Sequence, residues 1–345
     1  MSEATLPAPL YLKSARFDRM FVLGIPLLAL ATGALALGFP GYFFLILSFD
    51  LAFLGYHHVV STYTRLLFDL KSARQHWLLL IPLPLAVFGA VYLLAHYAGV
   101  AAIATVYLHW QWYHYTRQSE GINKAYGMKT RSAQAGNARF NRAVFYLVPL
   151  AAFLMMSARP GSTFLSMAVW KLPVPQWLAT DVLAGAGACL LWWLQAQLRA
   201  WRAGTLGTLH FAYLCSHYLI YLVSYVAISD ITTGWLVINV WHNAQYIAFV
   251  WLFNANQHKG GLDRQRLAIS WLSQERNWPI YLLACLTLTT ILYRALEMSS
   301  GYLSGNAVVP MVIIAYQGLN FHHYIVDSLI WKLRKRSVQA ALTLP

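Results

Sequence analysis

Apolar runs long enough to cross a bilayer, separated by short basic stretches, recur through this 345-residue chain and constrain its fold more than any motif does. Hydrocarbon offers no water to backbone N–H and C=O groups, so only helices or closed barrels can span it. A helix needs about 20 mostly apolar residues to do so. The runs here are continuous rather than alternating, which selects helix over strand. About ten candidate spans are centred near 21–39, 41–63, 77–98, 100–116, 143–157, 178–198, 206–228, 234–253, 278–297 and 306–331, the fourth and fifth being short. With 59% hydrophobic and only 10% charged residues, a soluble domain is excluded. The expected fold class is all-α: a polytopic integral membrane helical bundle with a single transmembrane domain over 21–331.

The polar segment 1–20 carries Lys13, Arg16 and Arg19, and the run after it starts too late and is too long for a cleaved signal sequence. The first span is therefore expected to stay as an anchor. If all ten spans cross, 22 of the 25 Lys and Arg residues fall on one side, leaving Arg159, Lys171 and Arg294 for the other. Cytoplasmic loops accumulate Lys and Arg. Both termini are thus expected in the cytoplasm, with the bacterial inner (plasma) membrane as the location. The net charge of +14 follows this topology, so the partners it implies are membrane lipids and not nucleic acid. The loop from Arg117 to Arg142 reads as a cytoplasmic segment against lipid headgroups, with a lid over a cytoplasmic entrance as the other reading. The tail 332–345 reads as a basic stop followed by disorder. Cys189, Cys215 and Cys285 lie on separate spans without CxxC spacing, which indicates neither a disulfide framework nor a thiolate zinc site.

Nine of the twelve histidines fall inside these apolar stretches: His57, His58, His109, His114, His210, His217, His242, His322 and His323. An ionisable side chain in hydrocarbon is expensive unless partnered, and by default marks a functional site. Spacing from the nearest basic loop places His58, His109, His114, His210 and His323 roughly 5–14 Å from the cytoplasmic boundary at 1.5 Å per residue. His217 and His242 lie deeper, as a second layer or the far wall of the same cavity. His109 and His114 are about 140° apart on a helix, and the pairs His57/His58 and His322/His323 about 100° apart. Each pair therefore offers one ligand and one neighbour, or two ligands to two metals. Asp327, four residues after His323, and Asp50, seven before His57, share faces with histidines; each could receive a ligand's second N–H or ligate directly. The plain alternative is that a membrane histidine is an interhelical hydrogen bond. That reading is preferred for His76, His96 and His258, and competes evenly for His57, His114 and His322. Aromatics such as Trp110, Trp112, Tyr113 and Tyr115 read mostly as interfacial belt.

Imidazole with a little carboxylate and no thiolate suits iron, copper or zinc. The expected centre is non-haem iron, one or two ions, oxidising a hydrophobic lipid or isoprenoid by hydroxylation, desaturation or double-bond cleavage; an oxidase needing electrons would draw them from a separate donor.

Two resemblances point the same way. The His109-Trp110-Gln111-Trp112-Tyr113-His114 segment is similar to the first histidine box of integral-membrane fatty-acid desaturases and hydroxylases, which implies a cytoplasmic di-iron site. The segments Asn320 to Asp327 and Trp241 to Tyr246 resemble late helices of the Brp/Blh family of membrane β-carotene dioxygenases, which implies one iron held by histidines from several helices; Tyr246 stands where that family has a second histidine. Two other classes are weighed against these: a haem-binding electron carrier using His58, His109, His242 and His323 as axial ligands, and a His/Asp-relay transporter.

Overall fold

The computed structural model describes residues 11–67, 70–130, 134–304, 311–334 and 336–342. The first ten residues of the segment 1–20, positions 306–310 of the last expected span and the end of the tail lie outside them. Fifteen α-helices account for most of the described residues. They are α1 (Ala15–Arg19), α2 (Ile25–Gly38), α3 (Phe43–Asp50), α4 (Tyr56–Leu67), α5 (Leu70–Gln75), α6 (Trp77–Leu80), α7 (Pro82–Thr130) and α8 (Ala138–Ala158). There follow α9 (Gln176–Arg202), α10 (Thr208–Leu222), α11 (Ile231–Gln257), α12 (Leu267–Leu272), α13 (Trp278–Ser304), α14 (Met311–Ile330) and α15 (Arg336–Ala341).

Eight continuous helical segments among the described residues are long and apolar enough to cross a membrane. One of them, Trp77–Thr130, covers two expected spans, 77–98 and 100–116, broken at Gly99, whose φ of 77° is open to glycine and strained for other residues. The last expected span coincides with α14, which is 20 residues long but too rich in Gln, Asn, His and Asp to rank with the eight. Bulky apolar side chains such as Leu27, Phe44, Leu85, Leu191 and Ile291 stand exposed on the outer helices. That is a surface suited to lipid and not to water.

The bundle is organised around α11, which is 83% buried over its most apolar window, against 17% for the corresponding window of α9. It packs on α2, α4, α7 and α10. Small residues allow the close approach: a Cβ at Gly33 of α2 would sit 2.4 Å from Val237 Cγ2, and one at Gly234 of α11 would sit 2.0 Å from the carbonyl oxygen of Ser224. Side-chain caps start the polar helix ends, with Asp230 accepting from Thr233 N on α11 and Asn137 accepting from Arg139 N and Phe140 N on α8. Between α8 and α9 a two-stranded hairpin, β1 (Thr163–Phe164) and β2 (Met167–Ala168), pairs Thr163 with Ala168 and seats Phe164 in the core against Trp235.

Two expectations are corrected. The segment from Arg117 to Arg142 is not a loop for most of its length: α7 continues to Thr130 and α8 begins at Ala138, because Ser119, Ile122 and Tyr126 return to one buried face at helical spacing. The tail does not stay irregular after its basic stop, since α15 forms and buries Val338, Ala341 and Leu342, an i, i+3, i+4 stripe packed on α11.

The two packing environments of glycine give a direct test. Gly185, in mid-helix on α9, has open space where a Cβ would stand, so Gly185→Ala is expected to raise stability by up to about 1 kcal/mol through helix propensity. Gly234→Ala is expected to lower it by about 1–3 kcal/mol through overpacking against the Ser224 backbone. Thermal unfolding of the two variants in the same detergent checks the opposite signs.

Candidate metal centre

Four helices each deliver one imidazole to a common point: His58 from α4, His114 from α7, His242 from α11 and His323 from α14. One nitrogen of each lies within 4.8 Å of those of the other three, and all four side chains are buried. The rings form a closed quadrilateral, with centroid separations of 4.9 Å (His58–His242), 5.0 Å (His242–His114), 5.2 Å (His114–His323) and 4.3 Å (His323–His58). The Nε2 atoms of His58, His114 and His323, and both ring nitrogens of His242, have no hydrogen-bond partner.

An unbonded nitrogen buried in an apolar interior carries a desolvation cost, and four imidazoles facing one another form a donor set that could hold a metal ion. With metal–nitrogen bonds of about 2.1 Å, opposite ligands lie about 4.2 Å apart, so the observed spread closes around one ion with a small contraction. The donor set is all imidazole, and the three cysteines stay free and separate from it.

The second ring nitrogens of His58 and His323 are held so that their Nε2 lone pairs face inward. His58 Nδ1–H donates to the Gly55 carbonyl at 3.2 Å. His323 Nδ1–H donates to Thr62 Oγ1 at 2.8 Å, Thr62 donates in turn to Asp327 Oδ1 at 3.2 Å, and Tyr246 OH donates to the same oxygen at 2.7 Å. Trp331 Nε1–H closes this network on Tyr246 at 3.0 Å. Such partners fix the tautomer and ring direction of a ligating histidine. Two other rings are braced by tyrosines: Tyr324 stacks on His114 with centroids 4.0 Å apart, and Tyr115 packs tilted against His242 at 4.0 Å.

Local chain geometry sets the register of the His57/His58 pair. Leu51–Gly55 forms a π-turn between α3 and α4, which inserts one residue into the helical register. Seven ideal α-helical residues would align Asp50 with His57; the extra one aligns it with His58 instead. Asp50 itself bonds no histidine. Its Oδ2 accepts from Asn239 Nδ2 at 2.7 Å, and Asn239 Oδ1 accepts from Tyr115 OH at 2.9 Å, so Asp50 reaches His242 through the ring packed against it.

The other histidines read from the sequence lie outside the group. His322 accepts from Tyr63 OH at 2.6 Å and donates to the Leu79 carbonyl at 2.7 Å. His217 is stacked on Phe145 at 3.9 Å and uses both nitrogens, on Ser119 Oγ and the Phe145 carbonyl. His210 bonds Asn123 Oδ1 at 2.6 Å. His109 donates to the Thr105 carbonyl at 2.8 Å and presents its ring edge to Phe153. His57 is buried one position from His58 but about 100° around the helix, and does not join the four. His242, placed deeper by its spacing, joins the same group of four.

Thr62, Gln118 and the two bracing tyrosines Tyr115 and Tyr324 were not singled out as site residues by sequence. A signal for the first two was present. Each converging histidine has a polar residue four positions on: Thr62 after His58, Gln118 after His114, Tyr246 after His242 and Asp327 after His323. Gln118 Nε2 donates to the backbone carbonyl of His242 at 3.2 Å, tying α7 to α11 at the site. The bracing by Tyr115 and Tyr324 depends on interhelical packing and has no such spacing.

The chain matches no protein-family model, no curated protein and no solved structure.

The inward tautomer of His323 rests on Thr62. Thr62→Val, close in shape but without the hydroxyl, is expected to weaken divalent-metal binding about tenfold to hundredfold, whereas His217→Phe, away from the centre, is expected to leave it unchanged. Competition against a chelator of known affinity measures both.

Proposed function

We propose that this protein is an integral membrane oxygenase whose centre is one non-haem iron ion held by His58, His114, His242 and His323, acting on a hydrophobic lipid or isoprenoid. The observation that carries the reading is the set of inward-facing, unpartnered imidazole nitrogens on four helices. Imidazole donors suit iron, copper, zinc or nickel. Iron is favoured because four neutral ligands leave coordination positions open, and a ligand set of this kind at the heart of a lipid-facing bundle suits oxidation of an apolar molecule. Convergence on a single point supports one ion over two. It also disfavours haem, since a porphyrin between any two of these rings would collide with the other two.

When bound, the metal would supply activation of dioxygen and polarisation of the reacting group. The residues around it have separable tasks. The Thr62–Asp327–Tyr246 network and the Gly55 carbonyl orient His323 and His58. Asp327 and Asp50 place carboxylates near a site that would gain two positive charges, an offset that a low-dielectric interior requires. Tyr115, Tyr324 and Trp110 form an apolar wall that excludes water. Gln111 and Gln245, each one turn from a cluster histidine and buried, supply hydrogen-bonding capacity beside the centre. The exposed aliphatic and aromatic side chains on the outer helices support a substrate that is dissolved in the bilayer.

The same reading takes Trp77–Thr130 as two crossings and α14 as the last, which gives ten spans with both termini in the cytoplasm of a bacterial inner membrane. The 22-to-3 division of Lys and Arg supports this topology.

Elemental analysis of the detergent-purified protein, with an optical spectrum, tests the metal assignment. About one equivalent of iron without a Soret band is expected in the wild type, lost in His114→Ala and in His323→Ala but retained in His109→Ala and His322→Ala. Retention in the first two, or loss in all four alike, would sink the four-histidine site. If no preparation holds metal after reconstitution, the oxygenase reading fails and a proton-coupled transporter built on the same His and Asp residues takes its place.

A further inference from the structure

Six residues beyond His114 on α7, about 9 Å along the axis, the carboxylate of Glu120 is buried while three cations converge on it. Arg117 Nη1 lies at 2.5 Å, Lys124 Nζ at 2.8 Å and Arg142 Nε at 3.0 Å, and Tyr146 OH donates to it at 2.5 Å. The carboxylate side chain is 3% exposed, whereas the cations keep 47%, 49% and 64% of their surfaces open. Among the described residues, one negative charge thus gathers three positive ones and leaves a local surplus of two. Arg142 spends only its Nε on Glu120, so its terminal guanidinium nitrogens remain available as a fork of the kind that matches phosphate.

The surface leading to this cluster is apolar. Val106, Tyr113, Arg117 and Lys124 recur at intervals of seven, four and seven residues and so lie on one face of α7. Val106 and Tyr113 are exposed, which makes the face an uncovered hydrocarbon-compatible strip ending in cations. An exposed tyrosine one turn before an arginine is the arrangement of a membrane interface. A soluble anion would need the cations alone; the strip below them fits an acyl chain.

We propose that Arg117, Lys124 and Arg142, gathered on the buried Glu120, form a seat for the phosphate headgroup of an anionic phospholipid whose acyl chain lies along the Val106–Tyr113 face of α7. Glu120 is the organiser of the seat: it holds three like charges within reach of a single phosphate, and Tyr146 anchors it from α8.

The test is lipid titration of the full-length protein in a neutral detergent, with phosphatidylglycerol, phosphatidylcholine and inorganic phosphate in parallel, reading the thermal midpoint and the lipid retained in native mass spectra. Phosphatidylglycerol is expected to raise the midpoint of the wild type and to be retained, with an apparent affinity at least tenfold weaker in Lys124→Gln/Arg142→Gln. A control pair, Arg264→Gln/Arg276→Gln, removes two exposed cations from the connection between α11 and α13 and is expected to bind as the wild type does. Should the double variant not purify in folded form, Arg142→Gln alone, at the most exposed of the three, carries the comparison with an expected loss of severalfold. Undiminished phosphatidylglycerol binding in the seat variants, an equal loss in the control pair, or an equal stabilisation by inorganic phosphate would each overturn the proposal.

Discussion

Imidazole nitrogens without hydrogen-bond partners are expensive in an interior this apolar, and the rest of the bundle is arranged around four that face one another. His58, His114, His242 and His323 arrive from helices that are distant in sequence, so their meeting requires α4, α7, α11 and α14 to be packed in one arrangement. Much of that packing is apolar and would tolerate sliding. The polar bonds at the site do not: Thr62 to His323, Tyr246 to Asp327 and Gln118 to the His242 carbonyl each join two helices at a fixed height. A buried donor or acceptor left without a partner costs more than the bond itself contributes.

The carboxylates show how charge is managed at this depth. Asp327 reaches His323 chiefly through Thr62, the direct separation being 3.6 Å, and Asp50 reaches His242 through Asn239 and Tyr115. Neither needs to bind a metal directly to influence one. Placed one or two hydrogen bonds away, each can offset positive charge while leaving coordination positions open to other ligands. The close helix approaches at Gly33 and Gly234 serve the same end, since they set the position of α11, which brings His242, Tyr246 and Asn239 together.

At the edge of the bundle the logic is inverted. Around Glu120 a single buried carboxylate organises exposed cations, so the charge surplus faces outward rather than being neutralised within. The continuation of α7 to Thr130 makes this possible, because it carries Arg117, Glu120 and Lys124 on successive turns of one rigid helix.

Sequence by itself determined that the chain is an all-α bundle of membrane-length helices, that its buried histidines are the chemically informative residues, and that Asp327 shares a face with His323. These follow from run length and from the 3.6-residue period, both local properties. Helical angles also required that only one histidine point to a given centre from each of the pairs His57/His58, His109/His114 and His322/His323. Which one was decided by tertiary structure. The π-turn before α4 turned the register toward His58, Phe153 and the Thr105 carbonyl engaged His109, and Tyr63 with the Leu79 carbonyl took both nitrogens of His322. The bracing of His242 by Tyr115 and of His114 by Tyr324 was likewise hidden, because a tyrosine near a span end looks the same in sequence whether it meets lipid or a neighbouring imidazole. Interhelical register depends on contacts between residues far apart in sequence, and no local period encodes them.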